Sequence, residues 1–434
     1  TVENAYGQLL AEGYIYSIPK SGYYVSDLSG IPVHQTEYTS ETYEAEEQGT
    51  DSRTAKAGDK VLLTGGENAF IADFTSNQTE HAAFPFSIWN KTMRAVMNDY
   101  QKEMMINPPC GGVMELRKSI SSYLKEFCAM YVRPEQIIIG AGTEYLYSIL
   151  IQLLGRNVCY GVENPGYPKI AKIYRSMGVK YEYIDLDEEG TSAKKLEEKK
   201  VDIMHISPSH HFPTGMVMPI SKRYELLGWV TRKKERYIIE DDYDSELRLA
   251  GKPIPSLQSI DVSGKVIYIN TFAKTLCSTV RISYMVLPEA LAEKYYRELS
   301  FYSCTVSNFE QYTLAAFMNA GAFEKHINRL RNYYQHKRDL ILSTFLKEPL
   351  GKYITISEED SGVHFLMHVN TSMSEQEFLL KTRAKGIRLA TLSSFYNAEQ
   401  KDSRYENTYV MNYSFVDCDR LEYVAQTLYK IIHP

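Results

Sequence analysis

No apolar run in this chain approaches the ~18 residues that a membrane-spanning helix requires, and its amino end lacks the hydrophobic core of a secretory signal. Cysteine is scarce and scattered. Cys110, Cys128, Cys159, Cys277, Cys304 and Cys418 show no CxxC spacing and no accompanying histidine pattern, so the reading is reduced thiols, no metal site and a cytoplasmic protein. Basic charge is in deficit: the formal net charge is −6, which excludes a general cationic field and leaves nucleic-acid contact to a local patch. Internal repeats are also absent. What is present, 44% hydrophobic and 24% charged residues over 434 positions, is the composition of a globular protein with enough core for two or three domains. The chain begins at Thr1 without Met and is read as a fragment.

Along residues 1 to 25, Val2, Ala5, Tyr6, Leu9 and Leu10 recur at helical spacing and Gly13 ends the run. Tyr14-Ile-Tyr16, a turn at Pro19-Lys-Ser-Gly22 and Tyr23-Tyr-Val25 then predict a β-hairpin. From Ser26 to about Asp59 apolar periodicity disappears among Glu41, Glu44, Glu46, Glu47 and Asp51, the composition of an acidic linker. Beyond it, β-rich runs at 136–139, 158–162, 201–206, 236–239, 266–269 and 282–287 alternate with helical stretches at 144–154, 168–177 and 221–233. This alternation predicts an α/β fold, a mostly parallel sheet with helices on both faces and ligands at the carboxyl ends of the strands. A long helical region over 308–346 precedes a smaller α+β domain, with strands expected at 353–356, 363–369 and 409–413 and helices at 374–385 and 419–432.

Four motifs fall at strand ends. Lys274 lies in Tyr268-Ile-Asn-Thr-Phe-Ala-Lys-Thr-Leu276, and Ile239-Glu-Asp-Asp-Tyr243 closes an earlier strand. Consecutive acids at the end of an apolar strand carry a desolvation cost unless a cation is near, although a solvated acid cluster is the plain alternative. A lysine and a carboxylate so placed suit a pyridoxal phosphate site: Lys274 holds the aldehyde as a Schiff base and Asp241 faces the protonated pyridine nitrogen. Tyr243 would donate to the ring oxygen. Thr271 precedes the lysine and Arg281 follows it, a hydroxyl and a guanidinium that can share one phosphate. Gly140-Ala-Gly-Thr-Glu144 turns from strand to helix, and the N–H groups of Gly142, Thr143 and Glu144 at the helix start favour an anion, or serve only as a turn. Tyr167, in Glu163-Asn-Pro-Gly-Tyr167, could lay its ring on a flat cofactor or be one more loop tyrosine.

These residues in this order resemble the fold-type I aminotransferases of class I/II, and in particular the MocR-type regulators, in which such a domain follows a GntR-type winged helix. The resemblance spans nearly the whole chain and rests on Ser207-Pro-Ser-His-His-Phe-Pro-Thr-Gly215, Ile238-Ile-Glu-Asp-Asp-Tyr-Asp-Ser-Glu-Leu247 and Thr271-Phe-Ala-Lys-Thr-Leu276. It implies a partial winged helix over 1–26 (recognition helix and wing), a linker over 27–72, a large pyridoxal-phosphate domain over 73–330 and a small domain over 331–434. It further implies a homodimer, DNA as the partner of the full-length parent with weak or no binding by this fragment, and no membrane association.

Departures from the family pattern bear on activity. Phe212 stands where transaminases carry an asparagine, Ala273 where they carry a serine, Ile106 where a tyrosine is common, and Val410 where an arginine grips the α-carboxylate. Arg388 and Arg404 are the possible substitutes; His210, His211 and Arg388 are the candidates for contact with the small molecule. Two readings remain: a regulator that senses an amine or amino acid through an external aldimine, and an aminotransferase with Lys274 as the proton-shuttling base.

Overall fold

The computed structural model describes residues 5, 6, 9, 10, 15–18, 21–26, 70–249, 254–360, 362–397 and 405–433. They fall in two compact units, Thr1–Gly65 and Gly66–Pro434. In the first, β1 (Ile15–Ile18) and β2 (Gly22–Val25) pair as the expected antiparallel hairpin. Ala5, Tyr6, Leu9 and Leu10 are helical, and the Tyr6 ring sits 4.9 Å from that of Tyr23. The acidic linker, through residue 69, lies outside the described residues.

The second unit is built on a seven-stranded sheet of β4 (Ile137–Gly140), β5 (Tyr160–Asn164), β6 (Tyr181–Asp185), β7 (Ile203–Ile206), β8 (Tyr237–Asp241), β9 (Val266–Thr271) and β10 (Ser283–Val286). The order is β4-β10-β9-β8-β7-β5-β6. β10 runs antiparallel to both of its neighbours and the other pairings are parallel. Alternation along the strands buries both faces. Ile137, Ile139, Tyr268 and Tyr284 pack with Leu116, Ile120 and Phe317, while Ile138, Ile239, Ile269 and Met285 pack on the other side with Leu146 and Leu150 of the helix Thr143–Leu154. The edge strand β6 went unread in the sequence because Glu182 and Asp185 dilute it, and of its five residues only Ile184 is buried.

The helical region over 308–346 is two helices, Asn308–Asn319 and Ala322–Phe345, separated by Gly321 at φ +64°, a left-handed residue that glycine adopts without strain. The second runs unbroken across residue 330. Its Phe323 and Ile327 belong to the first core, its Ile341 and Phe345 to a second one shared with Phe365, Met367, Tyr409, Met411 and Tyr413. That second core is laid on β11 (Ile354–Ser357), β12 (His364–Val369), β14 (Ala390–Thr391) and β15 (Thr408–Asn412), in the order β11-β12-β15-β14. β3 (Ala72–Asp73) pairs with β13 (Ile387–Arg388), and Phe74 and Ala83 bury in the second core.

Candidate functional site

The parallel strands end on one edge of the sheet, and the antiparallel β10 begins there, so the register sets Gly140, Ser283 and Thr271 side by side. This edge collects the expected residues. The acid run at the end of β8 resolves into three separate groups, because successive side chains face opposite ways. Glu240 accepts from the backbone N–H groups of Leu257 and Gln258, and the Arg223 guanidinium lies 3.9 Å away. Asp242 accepts from Tyr268 and Ser245. Asp241, on the side of Ile239, accepts from the Tyr147 hydroxyl at 2.5 Å, and its Oδ1 is buried without a partner. His205 Nε2 lies 3.6 Å from the other oxygen of Asp241 and is itself unsatisfied.

Lys274 Nζ donates to Asn77 Oδ1 at 2.8 Å, and Asn412 Nδ2 donates to the same oxygen at 2.6 Å. Burial lowers the lysine's pKa, with Asp244 opposing the shift, so the amine is biased toward its neutral, nucleophilic form. Thr271 accepts from the Ser283 hydroxyl and the Ala273 N–H. Gly142, at φ +92°, caps the helix Thr143–Leu154; a Cβ there would lie 2.1 Å from Arg281 Nη2. Arg281 is itself left-handed at φ +52°, an uncommon state for a side-chain-bearing residue, and its guanidinium donates to Glu144 at 2.6 Å. Burial alone would raise the Glu144 pKa, but the bonds from Lys169 and Arg281 hold it at about 2.

Histidines form the other wall. His210 donates through Nδ1 to Asp244 at 2.9 Å, contacts the Tyr243 hydroxyl at 3.3 Å and lies ring to ring with His364 at 4.6 Å. His211 bonds Thr214, and its Nε2 is 3.5 Å from Glu163. Burial pushes His211 down to about 3 and Glu163 up to about 8, so this is a neutral pair with the proton on the acid. Nε2 of His205, His210, His211 and His364 are all buried and without a hydrogen-bond partner. The Tyr167 ring, 44% exposed, meets Phe212 edge-on.

Arg388 is not brought to this edge. It pairs with Asp73 at 3.3 Å and covers the Phe70 ring, because β13 lies against β3. Arg404 lies outside the described residues. Asn77, Tyr147, His205, Asp244, His364 and Asn412 went unread. A histidine inside the apolar strand Ile203–Ile206 was the available signal, since a buried polar group demands a partner.

The site fits pyridoxal phosphate on its own terms. A buried unsatisfied carboxylate oxygen on Asp241 suits a protonated ring nitrogen, and the cradle at Gly142, which a Cβ would fill, sits beside a guanidinium at a helix amino end. Residues 71–404 match the family model "Aminotransferase class I and II", and the chain belongs to that family, whose cofactor is pyridoxal phosphate. Among solved structures, Pyrococcus horikoshii kynurenine aminotransferase superposes with a TM-score of 0.71 at 22% identity, over 84% of this chain and 91% of that one, which shows the fold. The HTH-type transcriptional regulator YdeL of Bacillus subtilis is 37% identical over 91% of this chain and 81% of its own length. The probable rhizopine catabolism regulatory protein MocR of Rhizobium meliloti is 28% identical over 91% and 78%. Within the family, then, the chain stands with the MocR-type, aminotransferase-like transcriptional regulators.

Proposed function

We propose that this chain is the sensing part of its regulator: it binds pyridoxal phosphate at Lys274 and reports the arrival of an amine or amino acid through Asn77. The cofactor supplies an electrophilic aldehyde and an electron-accepting ring. Asp241, buttressed by Tyr147, would supply the counter-charge for the ring nitrogen; Gly142, Thr143, Glu144, Thr271 and Arg281 would hold the phosphate, and Tyr243 and Tyr167 would contact the ring.

One observation carries the sensing reading. Lys274 shares the Asn77 carbonyl with Asn412 of β15. The segment leading to Asn77 is sewn to the C-terminal part by backbone bonds from Ile71 to Gly386, Phe74 to Arg388 and Asn412 to Phe74. When the lysine amine changes partner, Asn77 loses a donor, and the change falls on the stretch that continues toward the amino-terminal unit. DNA binding by that unit's helix and hairpin in the full-length protein, and a homodimer, belong to the same proposal. Six free cysteines support a reducing, cytoplasmic setting.

The second reading, an aminotransferase, is favoured by the lowered pKa of Lys274, which suits a general base. Titrating the cofactor-loaded protein with amines and amino acids separates the two. A lasting change in visible absorption without carbonyl product supports sensing, and product release supports transamination. Lys274→Ala should retain cofactor yet lose the visible band of the lysine-bound form; a wild type that cannot be loaded at all refutes the site.

A further inference from the structure

The wall of the site opposite Lys274 is apolar where a carboxylate-bearing ligand would need a cation. Side chains alternate along β12 and β15. Phe365, Met367, Tyr409, Met411 and Tyr413 enter the second core, which leaves His364, Leu366, Val410 and Asn412 on the other face. Asn412 meets Asn77, the partner of Lys274, so this face looks onto the amine. Leu366, Leu392 and Val410 form a buried cluster there, with Phe212 and Phe395 packed against it. The Phe212 ring is the pivot, edge-on to Tyr167 at 5.8 Å, to Phe395 at 5.1 Å and to His364 at 5.4 Å. A cavity of about 80 Å³ opens beside it, its apolar lining including Phe212, Phe395, Tyr167 and Ile170 and its polar lining including Glu163, His205, Ser207, Ser394 and Asn397.

No Lys or Arg is among the described residues lining that cavity. Among the described cations near the site, Lys169 and Arg281 are paired with Glu144 and Arg388 with Asp73, while Lys401 and Arg404 lie outside the described residues. His211 and His364 are held neutral by burial and bring no positive charge. Among the carboxylates near the region, Asp241 lies 3.6 Å from the cavity-lining His205 and Asp244 is paired with His210. A carboxylate entering here would be desolvated with no Lys or Arg among the described lining residues to receive it, whereas a small alkyl group would replace cavity with contact.

We infer that the site takes a short-chain alkyl amine without a carboxylate, its amine directed at Lys274 and its alkyl group lodged against Phe212 and Phe395, and that it rejects the corresponding amino acid. This rests on the Lys274 reading above. Isopentylamine and L-leucine differ only by the carboxylate, and each is titrated into the cofactor-loaded full chain while visible absorption and heat are recorded.

The amine is expected to bind at least about tenfold more tightly, given the cost of an unpaired charge. Equal or tighter binding of L-leucine to a protein that shows the lysine-bound band overturns the inference and leaves the Lys274 reading standing. Failure to form that band sinks both. Val410→Arg should shift preference toward L-leucine. Because that guanidinium would enter a buried cluster, Phe395→Arg on the half-buried cavity wall is measured alongside, with the same expectation. A folded, cofactor-loaded variant of either kind with unchanged preference counts against the inference.

Discussion

A proton on Glu163 is worth most where the chain is most acidic in solution. Its carboxyl, buried beside a neutral His211, titrates at about 8 rather than 4.5. The folded state therefore holds a proton that the unfolded chain releases, and the stability it confers is complete below pH 4.5 and fades as pH climbs to about 8. Glu163→Gln, which keeps an acceptor for the Ser207 N–H, should match the wild type near pH 5 and exceed it near pH 8.5 by a few kcal/mol, at about 1.4 kcal/mol per tenfold. Denaturant unfolding at the two pH values checks this; an advantage independent of pH would contradict it. Asp241→Asn keeps the Tyr147 hydrogen bond but removes the charge, so cofactor retention on dialysis should fall by about tenfold or more, the scale of one lost charge-assisted bond. The acid run was legible in sequence because carboxylates at a strand end are costly; that Asp241 keeps an unpartnered oxygen was not, since that depends on Tyr268, Leu257 and Tyr147 arriving from distant positions.

Elements were legible where periodicity was strong and blurred where one residue decided the matter. The strand runs at Ile137, Ile203 and Val266 were visible as β-branched apolar blocks, and the helix beginning at Thr143 as a glycine turn followed by an apolar face. β13 and β14 were not visible. They are two residues each, Ile387–Arg388 and Ala390–Thr391, too short to show a period. At this scale the junction of β4 and the following helix is the sensitive point. Gly142→Ala must accommodate a left-handed φ and a Cβ 2.1 Å from the Arg281 guanidinium. It should cost roughly 1–3 kcal/mol in stability and displace Arg281 from the helix amino end, with a matching loss of phosphate affinity. Thermal unfolding and competition with inorganic phosphate measure the two effects; a variant with native melting and native phosphate binding would remove Gly142 from the cradle.

For the molecule as a whole, the division at Gly65 implies independence of the larger unit. A chain starting at Gly66 retains β3, both cores and every site residue described, so it should melt within a few degrees of the parent and load cofactor with the same visible spectrum, as scanning calorimetry and absorbance would show. At the amino end the hairpin of β1 and β2 was legible from its turn residues. The pairing of β3 was not, because nothing in Ala72-Asp-Phe74 announces that it will add itself to a strand more than three hundred positions away. That pairing has a mechanical meaning. The segment over residues 71–74 is reined to the lobe that carries Val410 and Asn412, and the side chain of Asn77 links Asn412 of that lobe to Lys274, so a tilt of the lobe would tug at the lysine's own partner.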